Sequence, residues 1–141
     1  MKALFSSLVL ILITTLSFAQ TAESLKERIQ EHYTAIHADE VETLLSHHLP
    51  EFSIFFGNGK ALYEPGWHET YEKMGATFNY SKPNVTMKHF SAQIYDNVGV
   101  ALFYLDGYYG EESGLWRVSA VWVWTKGEWL EAHHHESKLL N

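Results

Sequence analysis

The chain has no cysteine among its 141 residues. That absence excludes a disulfide framework, a cysteine-linked lipid anchor and a cysteine nucleophile together. Positive charge is also scarce. Ten Lys and Arg face 17 Asp and Glu, a formal net charge of −7, which argues against nucleic acid or an anionic membrane surface as partner. No G-x-S-x-G, phosphate loop, dinucleotide fingerprint or H-E-x-x-H occurs, so the motif-borne routes to hydrolysis, nucleotide binding and zinc proteolysis are missing. Repeats and low-complexity tracts are absent too.

Long apolar runs are limited to the start, MKALFSSLVLILITTLSFA. Lys2 is a short positive region, an apolar stretch follows, and Ser17 and Ala19 are small residues at the two positions a signal peptidase reads. Residues 1–19 are expected to be a signal peptide, because the run is short for a span of about 20 residues. Residues 20–141 then form one exported domain, periplasmic or secreted, with no membrane partner after cleavage. Losing Lys2 takes the charge to −8. Without disulfides the domain must be held by packing, and five Trp, eight Tyr and six of the eight Phe supply the means.

Periodicity predicts a helix over 22–38, with Leu25, Ile29, Tyr33 and Ile36 on one stripe. Asp39 is a candidate cap for a second helix running to about His48 and stopped by Pro50. A short strand, 52–56, turns through Gly57-Asn58-Gly59 into another at 60–63, and a third helix runs from about Trp67 to Phe78. Four long strands follow, 85–95, 98–109, 115–125 and 128–139, read as an antiparallel meander. The class is α+β, a cone-shaped curved antiparallel sheet packed on three N-terminal helices. Strands of ten or more residues twist and curl, and a curled sheet over an amphipathic helix leaves a hollow at its wide end.

The ending Val121-Trp122…Lys126-Gly127-Glu128-Trp129…His133-His134-His135-Glu136-Ser137 resembles the nuclear transport factor 2-like, or SnoaL-like, superfamily. It is most similar to the association (hub) domain of calcium/calmodulin-dependent protein kinase II, which ends in V-W, a D-G-K-W type turn and H-x-H-x-S. The stretch Glu64-Pro65-Gly66-Trp67-His68-Glu69-Thr70-Tyr71 resembles that domain's E-G-x-D-F-H-x-F-Y segment. The resemblance implies a pocket histidine at His68, with Tyr71 beside it in the lining. The hub's two pocket arginines fall on Ala120 and Glu136, neither of them arginine here. A carboxylate ligand of the hub kind is thereby disfavoured, and a small apolar or neutral ligand fits better. The resemblance also implies a homodimer or larger homo-oligomer. The superfamily spans isomerases, dehydratases, hydrolases and oligomerisation modules, so activity does not follow from it.

Strand alternation decides what the three consecutive histidines do. Three histidines followed by Glu136 to Asn141 are not a purification tag. If Thr125-Lys126-Gly127 is a three-residue loop, Val123 pairs with Trp129. Then Trp122, Trp124, Leu130, Ala132, His134 and Glu136 face the cone interior. Arg117, Val121, Val123, Trp129, Glu131, His133 and His135 face outward, as a candidate oligomer surface. The expected ligand-binding set is Tyr33, His68, Tyr71, Trp122, Trp124, His134 and Glu136. The sharper alternative is an enzyme in which His68 and Glu136 form an acid–base pair and Tyr33 donates to an oxyanion. His133-x-His135 could chelate, with His89 or His37 as extra donors, but no spacing recommends them. No metal and no cofactor is expected.

Overall fold

The structure is a computed structural model that describes residues 20–38, 40–55, 84–109 and 112–139. Helix α1 spans Ala22–Ala38. Its start is fixed by a reciprocal cap: Ser24 N donates to Thr21 Oγ1 at 3.1 Å, and Thr21 N donates to Ser24 Oγ at 3.2 Å. Glu23 in the first turn complements the helix dipole. His37 anchors the far end, because its Nε2 accepts from Val85 N at 3.2 Å. Leu25, Ile29 and Tyr33 of the predicted stripe are buried together with His32 and Ala35, and Ile36 is half-buried.

Helix α2, Val41–Ser46, is shorter than the sequence suggests, and its cap position is Glu40, which makes no side-chain capping bond. Asp39 lies outside the described residues. The chain turns extended at His48, and strand β1 runs His48–Phe55 through Pro50. A proline is tolerated there because, among the described residues, β1 is the outermost strand and its pairing is irregular between His48 and Ser53. The predicted short hairpin at 60–63, the third helix, His68 and Tyr71 all lie outside the described residues.

The remaining strands are β2 (Asn84–Tyr95), β3 (Val98–Tyr109), β4 (Glu112–Thr125) and β5 (Glu128–Lys138). The sheet order is β1-β5-β4-β3-β2. The expected four-strand meander is present, and β1 joins its edge in parallel with β5. Two irregularities bend this sheet. In β2 the register shifts between Lys88 and Ser91, where His89 has φ 52°. In β5 one extra residue, Ala132, stands between the Val121–His133 and Trp122–Glu131 pairs. Bulges sharpen local twist and curl a sheet over what it covers. Here the concave face receives α1: Leu25, Ile29 and Tyr33 pack with Phe103, Leu105, Trp116, Val118, Trp122 and Trp129.

The final turn differs from expectation. Trp124 pairs with Trp129 and Thr125 with Glu128, so the loop has two residues, Lys126 (φ 52°) and Gly127 (φ 91°). Positive φ at both positions is the hairpin geometry that matches strand twist. Trp129 therefore points inward, only 2 % exposed, and not to the outer face as the sequence reading had it. Its Nε1 donates to Ser24 Oγ at 3.1 Å, and its carbonyl accepts from Arg28 Nε at 3.0 Å.

Candidate functional site

Starting from Trp129, alternation sends Glu131 inward as well. The bulge at Ala132 then resets the phase, and His134 and Glu136 follow on the same inner face. Leu130 and Ala132, expected inside, are half-buried instead. Of the three consecutive histidines, only His134 is buried. His133 is half-buried on the outer side with Nδ1 2.8 Å from Ser53 Oγ, and His135 is exposed.

The inner floor thus gathers titratable groups from four elements: His32 from α1, His47 just after α2, His48 at the head of β1, and Glu131, His134 and Glu136 from β5. All six are buried. Local hydrogen bonding places them. Glu131 N donates to His47 O at 2.8 Å, which draws the α2–β1 corner onto β5. His134 stands across from Ala120, a position where the small side chain leaves room for the ring.

His134 is the hub of the array. Its Nδ1 lies 2.8 Å from Glu131 Oε1, and its Nε2 lies 3.5 Å from Glu136 Oε2. Glu131 Oε2 is 3.4 Å from His48 Nε2, a separation at the long limit of hydrogen bonding. Burial alone would strip the proton from His134. The charge of Glu131, its hydrogen bond, and Glu136 on the other side outweigh that and push the ring up to about 10. Burial likewise favours a neutral Glu131, but the His134 charge and hydrogen bond, with His48 and His32 nearby, hold it below the usual carboxylate range. The two form an ionised pair inside an apolar shell.

His32 is the opposite case. Burial dominates, the attraction of Glu131 does not compensate, and His48, His134 and His47 repel a second charge. The ring is held down to about 3 and stays neutral. His47 is also lowered, by burial and then by Arg28. His32 packs edge-on against Tyr33, His48 and Trp122, with centroids 5.4, 5.3 and 5.8 Å away. Among the described residues, His32 Nδ1, His47 Nδ1, Trp122 Nε1 and Glu131 Oε2 are enclosed without a hydrogen-bond partner.

Of the side chains expected to line the interior, Tyr33, Trp122, His134 and Glu136 meet at this floor. Trp124 does not. It is half-buried at the hairpin end, edge-on to Trp129 at 5.3 Å. His68 and Tyr71 fall outside the described residues; among those described, Glu136 lies against His134. Asp106 is half-exposed and pairs with Lys88 on the neighbouring strand. Sequence reasoning missed His32, His48 and Glu131. A signal existed for His32, which stands three residues after Ile29 on the flank of the α1 stripe. None existed for His48 or Glu131, whose positions depend on a parallel pairing and a bulge. Two surface hollows are lined by described residues. One lies outside the sheet between Leu102, Tyr104, Arg117 and His135, and the other between Arg28 and the β4–β5 turn.

No family model matches the chain, and no curated protein matches it either. Solved structures do. A nuclear transport factor 2-like protein from Cytophaga hutchinsonii superposes with TM-score 0.71 at 16 % identity, covering 86 % of this chain and 100 % of that one. A protein of that family from Streptomyces avermitilis, provisionally named a dehydratase, gives 0.72 at 15 % identity, over 84 % and 96 %. The calcium/calmodulin-dependent protein kinase II hub homology domain from C. reinhardtii gives 0.68 at 22 % identity, over 84 % and 98 %. At these identities the likeness establishes the fold. The chain has the nuclear transport factor 2-like fold, shared by enzymes and oligomerisation domains alike.

Proposed function

We propose that the protein is an exported small-molecule-binding domain whose ligand lies between α1 and the concave face of the sheet, against the histidine–glutamate floor. One observation carries this reading: an ionised His134–Glu131 pair, a second carboxylate at Glu136 and a neutral His32 share one buried patch of an otherwise apolar interior. A fold seeking stability alone gains little from such an array, because desolvation cancels most of the attraction. Clustered, mutually perturbed ionisable groups mark functional sites more often. The two carboxylates around a single cation leave no net positive charge to attract an acid. The ligand is therefore small, neutral and largely apolar, lying against Tyr33 and Trp122.

The test is ligand binding followed by tryptophan fluorescence, comparing neutral and carboxylate compounds of one size and shape. The reading predicts that the neutral series binds, and that Glu136→Gln narrows its advantage over the acids. Equal or tighter binding of the carboxylates would overturn it. The signal peptide is tested separately, by intact mass of the exported protein, which should begin at Gln20.

Two further readings each have an observation behind them. Groups whose proton affinities are pushed apart at one site suit proton transfer, and one structure of this fold is provisionally named a dehydratase. In that reading Glu136, held by His134, serves as an acid–base element, and the expected His68–Glu136 pair stands beside it. Turnover would then disappear in Glu136→Gln while binding persists. For homo-oligomerisation, the outer sheet face exposes Leu102, 47 % accessible, and Phe55, and the fold is that of hub domains. If this face pairs with a second copy, Leu102→Glu converts a dimer to a monomer in sedimentation.

A further inference from the structure

Three of the buried groups come from separate elements and converge on one point. His32 on α1, His48 at the head of β1 and Glu131 on β5 each place a donor atom within 4.8 Å of the other two. Two of these side chains carry an incompletely satisfied atom. His32, 5 % exposed, has Nδ1 enclosed and unbonded among the described residues, and Glu131, 1 % exposed, has Oε2 enclosed with His48 Nε2 at the long distance of 3.4 Å. Native interiors seldom leave a carboxylate oxygen and an imidazole nitrogen of one cluster poorly paired, since both lose their water without full recompense. A third group that bonds to both removes the difficulty.

The surroundings narrow down what that group is. Glu131 Oε1 is taken by His134 Nδ1 at 2.8 Å, which fixes the carboxylate with Oε2 toward His48. An outer partner that holds a ligating group in orientation is a regular feature of metal centres. Two imidazoles and one carboxylate are a donor set for a borderline transition cation. Magnesium and calcium prefer all-oxygen cages. Zinc bonds of about 2.0–2.2 Å in a tetrahedron separate donor atoms by about 3.3–3.6 Å. His48 Nε2 and Glu131 Oε2 already stand 3.4 Å apart, and His32, with a nitrogen within 4.8 Å of both, is the donor that closes the set.

We propose that His32, His48 and Glu131 bind a divalent transition cation of the zinc class, with a fourth position facing the interior of the fold. The site goes beyond the small-molecule reading, which describes the metal-free floor; a bound cation would add positive charge there. It is also distinct from the His133-x-His135 pair, which lies on the outer face.

The test uses protein purified without a histidine tag, dialysed against a chelator and titrated first with Zn²⁺ and then with Co²⁺. One equivalent should bind, and the cobalt form should show the intense visible bands of a four-coordinate centre. His32→Phe keeps the ring's bulk and removes its nitrogens. It should weaken zinc on the order of 100-fold or more, since loss of a mere outer partner already costs about 10- to 100-fold. Circular dichroism establishes that this variant folds. A His133→Ala/His135→Ala double variant should bind as the parent does. Failure of the parent to bind one equivalent, or binding that survives His32→Phe and vanishes in the double variant, would overturn the assignment.

Discussion

Replacing Glu131 by Gln in metal-free protein keeps the shape of the floor and removes one charge. His134 then loses the partner 2.8 Å from its Nδ1. The ring's rise from 6.5 to about 10 sets a ceiling on what its surroundings contribute, about 5 kcal/mol at 1.36 kcal/mol per tenfold preference. Glu136 remains 3.5 Å away, and the ring can relieve the imbalance by losing its proton. The expected loss is therefore about 3 kcal/mol, the lower end for breaking a buried ion pair. In a domain of this size that lowers Tm by about 10 °C. Urea unfolding at pH 6.5 measures it, with an unchanged denaturant slope showing that only stability moved. Glu128→Gln is the control. Glu128 also pairs with a cation, Arg28, but it is exposed, so about 0.5 kcal/mol or less is expected. A Glu131→Gln protein within about 1 kcal/mol of the parent, or more stable than it, would show that the buried pair is not ionised.

The pH profile of stability should be tent-shaped in metal-free protein. His134 is raised when folded, so its contribution is complete below 6.5 and is lost as pH climbs toward about 10. His32 is lowered, so stability falls as pH drops from 6.5 toward about 3, and the depressed Glu131 adds to that loss below 4.5. The apex lies near 6.5, with slopes of up to about 1.4 kcal/mol per pH unit per proton, one proton on the alkaline side and two below pH 4.5, where His32 and Glu131 act together; a flat profile between about pH 5 and pH 9 would contradict it. Trp129→Glu should unfold the domain rather than split an oligomer, because the ring is inside; circular dichroism separates the two outcomes. Gly107→Ala should cost on the order of 1–3 kcal/mol by chemical denaturation. Gly107 has φ 147°, and a Cβ there would meet Asn84 O at 2.1 Å.

The first helix and the long strands were readable because their signals are local. Leu25, Ile29 and Tyr33 repeat at helical spacing, and the 98–109 strand has the bounds that the sequence suggests. The inner face of β5 depended on two single-residue events that leave little trace. Thr-Lys-Gly offers no Asn or Asp to announce a two-residue turn with Lys126 at positive φ. Ala132 forms a bulge without Gly or Pro to mark it. Each event shifts the alternation by one residue. Together they cancel beyond Ala132, so His134 and Glu136 were placed inside, and between them Trp129 and Glu131 were placed outside. His48 was hidden for another reason: its strand pairs in parallel with a partner some eighty residues later, and Pro50 reads as a stop rather than as part of an edge strand.

The account stands on one charged and one neutral histidine in the same buried floor. Nitrogen-15 NMR of the imidazole rings in metal-free protein, titrated from acid to alkaline pH, reads both states directly. One ring, His134, should remain protonated well above neutrality, toward about 10, while another, His32, should stay neutral down toward about 3. If every histidine instead changes protonation near its ordinary 6.5, the ionised core does not exist.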